Sequence, residues 1–188
     1  RRQLAGLKQA CAKLLDQAIR TLEPLHSSVQ EDVGFALSLA SVFGDAGRQL
    51  RCCGEHARGD AALHTALDLC KRALRQGGLT AAQEGRSAVG ASFWALFCNR
   101  YDAALAVEQY AERESISMID RWCVRMNCAH AHWLKGNRDK ASAIYKKFAH
   151  EPIGEGKTWS DYVMQDLRDL KRAGVTVPDE HLIEEFLR

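Results

Sequence analysis

Apolar positions along this chain recur with a helical spacing of three and four, and no alternating apolar–polar run persists long enough to predict a strand. Leu4, Leu7, Cys11, Leu14/Leu15, Ala18 and Leu22 predict one amphipathic helix, ending at Pro24. Val33, Leu37, Ala40 and Phe43 predict a second, punctuated by Gly44 and Gly47. Ala62, Ala66, Leu69 and Ala73 predict a third, stopped at Gly77-Gly78. Trp122, Met126, Ala129 and Trp133 step by four, three and four along a further face. The prolines, at 24, 152 and 178, fall where a helical pattern stops or starts. The fold class is all-α.

A turn recurs between these runs. Laying Asn99 on Gly136, an offset of 37 residues, aligns "WALFCNRYDAALAVEQYA" with "AHWLKGNRDKASAIYKKF". Asn and Gly are the residues best able to take the left-handed conformation that ends a helix. Asp102 and Asp139 follow, placed to cap the next helix, and Ala104 and Ala141 come two positions later. Upstream, "HARGDAAL" (56–63) matches "CNRYDAAL" (98–105) at an offset of 42. A two-helix unit repeating at such a period predicts an array of hairpins.

The residues of the last copy, Gly136, Ala141, Tyr145 and then Phe148, resemble the second half of a tetratricopeptide repeat. The Asn99 copy keeps Ala104 and Ala111 but carries Glu108 at the aromatic slot. The likeness covers roughly residues 56–150, and its spacing exceeds the family's period of about 34 residues. It implies a right-handed superhelical array, divided into an irregular N-terminal segment (1–57), hairpins (58–150) and capping helices (151–188). Within that last segment Thr158 or Ser160 is placed to cap a helix carrying Trp159, Tyr162/Val163, Leu167 and Leu170 and stopped by Gly174, with a short helix of Leu182, Ile183, Phe186 and Leu187 beyond. An array needs such an element to seal its last apolar surface. The segment is similar to tails that follow repeat arrays in some multidomain bacterial proteins, including ones with a caspase-like peptidase domain.

In that family the first helix of each unit lines the concave wall. The resemblance therefore points to a partner groove of Arg86, Val89, Phe93, Leu96 and Phe97 in one unit. In the next it points to Cys123, Met126, His130, Trp133 and Leu134; for Met126 and Trp133, on the main stripe, packing between helices is the competing role. The expected function is non-catalytic: binding a protein or peptide segment, or another domain of a longer parent chain, through apolar complementarity. Phe93 and His130 stand where carboxylate-clamping repeats carry Asn, so that partner is not expected.

The chain has 188 residues and a formal charge of +2, its 26 basic and 24 acidic residues interspersed. That balance gives no push toward nucleic acid or an anionic membrane. The longest uncharged runs, near 33–44 and 87–99, fall short of the roughly 20 residues a spanning helix needs. Seven irregularly spaced cysteines suit reduced core thiols in a cytoplasm. Cys52, Cys53, His56 and His64 form the most metal-like cluster, the basis of an alternative reading as a metal- or thiol-based sensor; no cofactor is expected. Cys123, Cys128, His130 and His132 are a second cluster, but Cys128, His130 and His132 point in different directions on one helix. "GEGKT" (154–158) ends like a phosphate-binding loop, but Glu151 stands where its first Gly belongs and a helix precedes it. No Cys, His or carboxylate set is arranged as a nucleophile with its base, so no enzyme is expected. The Cys-rich segment 48–60 offers a surface for self-association as a homo-oligomer.

Overall fold

The computed structural model describes the backbone of residues 2–28, 32–154 and 156–188, and in the first of these the side chains of 6–25. Among the described residues it is all-α, with nine helices and a two-stranded sheet. Helix α1 spans Arg2–Ser28, α2 Val33–Cys52, α3 His56–Gln76, α4 Ala81–Phe97 and α5 Tyr101–Leu105. A 3-10 turn at Glu108–Glu112 leads to α6 (Met118–Leu134) and α7 (Arg138–Phe148). Strands β1 (Pro152–Gly154) and β2 (Lys157–Thr158) pair antiparallel and precede α8 (Trp159–Arg172) and α9 (Glu180–Phe186). No described helix is long and apolar enough to cross a membrane.

From α1 to α8 each helix packs on the next, α9 packs on α7, and α4 also packs against both α2 and α6. Each of α2, α4 and α6 begins on a side-chain cap. Asp32 accepts from the Phe35 amide at 3.0 Å, Thr80 exchanges a capping box with Gln83, and Ser117 accepts from the Asp120 amide at 3.1 Å. Each ends on one hydrogen-bond pattern. Gly54, Asn99 and Gly136 have φ of 92°, 54° and 90°. The residue after each donates its amide five positions back: Glu55 to Leu50, Arg100 to Ala95 and Asn137 to His132, at 2.9, 2.8 and 2.8 Å. Gly174 (φ 82°) closes α8 the same way, Val175 donating to Leu170 at 2.9 Å. These are αL caps that satisfy carbonyls left open by a helix end.

Five residues past the three turns stand Gly59, Ala104 and Ala141, all buried. A Cβ on Gly59 would lie 2.7 Å from the Gly47 carbonyl, so α2 and α3 touch backbone to backbone. A Cβ on Gly44 would strike the Trp94 indole at 2.3 Å, so this glycine lets α4 seat its tryptophan against α2. The first turn therefore lies at Gly54, three residues before the position that the literal "DAAL" match assigns it, and Asp60 sits inside α3. Asp102 and Asp139 make no cap hydrogen bond either. They lie within the first turns of α5 and α7, where acidic groups favour the helix dipole, and Asp102 pairs with Lys135 instead.

Helix α1 departs from its expected orientation. Leu7 and Leu14 remain 65% and 69% exposed, and Cys11 and Ala18 are exposed too. The face against the core is Ala12 and Ile19, with Leu15 and Leu22 half-buried; Leu4 lies outside the described side chains. Asp16, beside that face, accepts from Arg58 of α3 at 2.8 Å, and the polar contact fixes the rotation. Pro24 does not end the helix, which runs four residues further.

The C-terminal segment does more than seal an end. Trp159, at the start of α8, packs against Tyr145 and Phe148 of α7, each ring centroid 6.0 Å away. Near the other end, Asp169 accepts from Arg48 of α2 at 3.2 Å, and Gly174 lies against the His56 ring of α3. Helix α8 thus spans from the third hairpin back to the first, burying Trp159, Val163, Leu167 and Leu170. Ile183 and Leu187 are buried beyond it.

Candidate functional site: an apolar groove beside helix α8

The path of α8 creates the site. One wall comes from α4 and α6, with Val89, Phe93, Ile119, Cys123, Met126 and Asn127; the other comes from β1 and α8, with Ile153, Gly154, Tyr162 and Asp166. The space between them is about 450 Å³. A second cleft of about 260 Å³ opens on the α2 side, bordered by Leu37, Ser38, Ser41, Arg86 and Asp120, and shares Val89 and Phe93 with the first. Val89 and Phe93 thus border both spaces along α4. Ile119, which lines the first, remains 57% exposed, and Met118 beside it 54%.

The expected groove residues divide into two sets. Arg86 is exposed and borders the α2-side cleft, Cys123 is half-buried and lines the space beside α8, and half-buried Val89 and Phe93 line both. Leu96, Phe97, His130 and Trp133 are at most 1% exposed and are core, which corrects their expected place on the wall. The reason lies in Tyr145 of α7, Phe186 of α9 and the Pro178 carbonyl, which close over His130 and Trp133, and in α3 and α5, which pack against α4. Phe97 stacks edge-on to Phe93, the open ring, with centroids 5.1 Å apart. Leu134 is half-buried. The α8 wall was missed because nothing in the spacing of a helix shows which distant helix it will face. Of "GEGKT", Gly154 pairs with Lys157 between strands β1 and β2, and Thr158 forms the capping box of α8, donating to Asp161 from its amide (2.8 Å) and hydroxyl (3.0 Å). Its strand β1, not expected from the sequence, supplies Ile153 to the groove.

Beneath the groove lies a polar chain. His130 Nδ1 and the Tyr145 hydroxyl are 2.9 Å apart, and His130 Nε2 lies 3.8 Å from Asp166 Oδ2. With the phenol donating to Nδ1, Nε2 carries the ring proton and turns it toward Asp166, beyond direct hydrogen-bond reach. Nε2 is buried without a partner. Burial holds His130 down to about 3, so it is neutral at physiological pH. Burial first, then the charge of Asp169, raises Asp166 to about 7 against the opposing pull of Arg48. Its side chain keeps 23% of its surface, on the groove side.

The cysteines and histidines of the metal-like clusters go separate ways. Cys53 contacts Cys11 of α1, His56 faces Gly174, and His64 borders another cleft with Asp68 and Lys71; Cys52 is half-buried. Cys128 donates weakly to the Ala104 carbonyl at 3.6 Å, and His132 Nε2 reaches Glu108 at 3.3 Å. Among the described residues no group of three or more His, Cys, Asp or Glu is placed to hold a metal ion. Burial pushes the thiols of Cys70, Cys98 and Cys128 up to about 12 and Cys123 up to about 11. Such thiols stay protonated at neutral pH and are poor nucleophiles.

The architecture defines an all-α protein of packed helical hairpins with an apolar trough on one side. No protein-family model matches the chain, and neither a curated protein nor a solved structure matches it.

Proposed function

We propose that this chain is a non-catalytic binding module, a short tetratricopeptide-like array that takes up a peptide segment of a partner protein, or of another domain of a longer parent chain. The observation that carries it is the trough itself. Val89 and Phe93 of α4 face Ile153 and Tyr162 across an open, largely apolar space within the range of recognition clefts. Its walls are pre-formed by packed helices, so little ordering cost falls on binding. The three like turns, each with a small buried residue five positions on, support the array reading.

Selection of a random-peptide phage library on the full chain tests the proposal. Enriched peptides should bind wild type and lose binding to Phe93→Ala and Val89→Asp variants whose circular dichroism is unchanged. Their amide-exchange footprint should fall on 89–93, 119–126 and 162–166. A footprint elsewhere would overturn the reading.

A thiol-based sensor is the second reading, favoured by one contact: Cys53 lies within hydrogen-bonding reach of Cys11, with Cys52 nearby. A peroxide would take two electrons and two protons from that pair to form a disulfide. A non-reducing peptide map after peroxide treatment showing every cysteine still free would end it.

A further inference from the structure

The groove between α4, α6 and α8 is largely apolar, and Asp166, the charged residue of its lining, has no strong partner. Asp166 faces the groove from α8, and its nearest basic atom is Nε2 of neutral His130, at 3.8 Å. The other charged and titratable groups around it do not neutralise it. From α2, Arg48 donates to Asp169 at 3.2 Å and contacts Asp45 at 3.4 Å. From α8 itself, Asp169 adds negative charge. On α6, Cys123 is a protonated thiol, and Asp120 is a further carboxylate bordering the adjoining cleft. On α7, Tyr145 is a buried neutral phenol. From β2, the Lys157 ammonium sits over the Tyr162 ring, 5.5 Å from its centroid. Arg86 borders the adjoining α2-side cleft, and its Nε is engaged by the Ala82 carbonyl at 3.3 Å.

We propose that the groove selects segments bearing a lysine or arginine within their apolar face, with the cation seated on the Asp166 carboxylate. This rests on the peptide-groove reading above and names the partner's chemistry. Apolar side chains fill the space between Phe93 and Tyr162, and the cation supplies the counter-charge that the protein itself withholds. A half-buried carboxylate without a close partner is costly, and pairing it with a hydrogen-bonding cation removes that cost on binding. Selectivity follows, because a neutral or acidic residue at that point leaves the carboxylate unpaired or repelled. The preference is also pH-dependent. Asp166 must be ionised to receive the cation, so discrimination grows as pH rises through neutrality.

The peptides selected on wild type supply the probe. Each basic residue in them is replaced by Gln, and affinities are measured by fluorescence anisotropy at pH 5.5 and 8 on wild type and on Asp166→Asn. Replacing the key Lys or Arg should weaken binding to wild type roughly tenfold at pH 8 and by much less at pH 5.5, as expected for a charged hydrogen bond. On Asp166→Asn the Gln and Lys peptides should bind alike at both pH values. Peptides that depend on Phe93 yet are indifferent to Lys→Gln would overturn the cation preference and leave the groove standing. Failure to enrich any peptide over the Phe93→Ala control would overturn both.

Discussion

In the third hairpin α7 runs eleven residues from Arg138 to Phe148, whereas in the second α5 stops after five at Leu105 and the chain tightens into a 3-10 turn. The two hairpins share the αL turn and the small residue five positions on, Ala141 or Ala104. They differ nine positions on. Tyr145 is 0% exposed, its ring against Trp133 and Trp159 and its hydroxyl on His130. Glu108 stands in the equivalent place and cannot be buried uncompensated, so it turns outward to His132 with 48% of its side chain exposed. Val107 and Ala111 take the buried positions instead. The aromatic slot is filled and buried where the second helix runs on, and charged and half-exposed where that helix is short.

The largest expected effect breaks that comparison directly. Tyr145→Ala should cost about 3–5 kcal/mol, since it opens a cavity among the tryptophans and strands His130. Glu108→Ala should cost under about 1 kcal/mol. Urea unfolding of both variants gives the two numbers, and equal costs would mean that the aromatic slot does not hold the third hairpin.

Next in size is a pH effect confined to the third hairpin and α8. His130 is lowered from 6.5 to about 3, so stability falls as pH drops from 6.5 toward 3, because the unfolded chain binds the proton more readily. Asp166 is raised from 3.8 to about 7, so the folded chain binds its proton more readily and stability falls as pH rises from 4 toward 7. The two slopes oppose each other between pH 4 and 6.5. Wild-type Tm should be nearly flat there, and Asp166→Asn should expose the histidine slope, its Tm dropping as pH falls. A parallel pair of profiles would show that the two groups do not offset each other.

The shared part of the hairpins is tested at the turns. Gly136 has φ 90° and open space where a Cβ would stand, so Gly136→Ala should cost about 1–2 kcal/mol from backbone strain alone. Asn99→Gly, at φ 54°, should change stability by only a few tenths of a kcal/mol. Thermal unfolding of both separates strain from packing.

These same positions mark what a reader of the sequence could and could not see. The turns at Asn99 and Gly136 were legible because chirality restricts which residues take positive φ, whatever surrounds them. The first turn was misplaced because the literal "DAAL" match outweighed the weaker signal of Gly54 followed by Gly59, whose role is visible only when Gly47 is seen across from it. On α1 the apolar stripe is present as read, but Ala12 and Ile19 face the core, a choice made by the neighbouring helix and the Asp16–Arg58 contact. Of the residues bordering the two clefts, Arg86, Val89, Phe93 and Cys123 were reached through the tetratricopeptide resemblance, which assigns wall positions on one helix at a time. Tyr162 and Asp166 were not, because their place depends on α8 crossing back to Arg48 over a separation that no local pattern encodes.

The smallest expected effect sharpens the comparison most finely. Glu108→Gln keeps the shape and hydrogen-bonding capacity of the side chain but removes its charge. The Glu108–His132 contact is 3.3 Å, and His132 also lies 3.4 Å from Asn137 in the third turn. Glu108 keeps 48% of its side chain exposed and glutamine retains the hydrogen bond, so the change should stay within roughly 0.5 kcal/mol. Guanidinium chloride would still obscure it by screening, so urea unfolding at low and high salt is the measurement. Should Glu108→Gln destabilise as much as Gly136→Ala does, the second hairpin would be held by its polar bridge to α6, and a charged residue would fill the aromatic slot as a structural alternative to Tyr145. Should the effect vanish, as expected, the charge of Glu108 contributes nothing to the second hairpin, and the slot that Tyr145 fills in the third is here left to solvent.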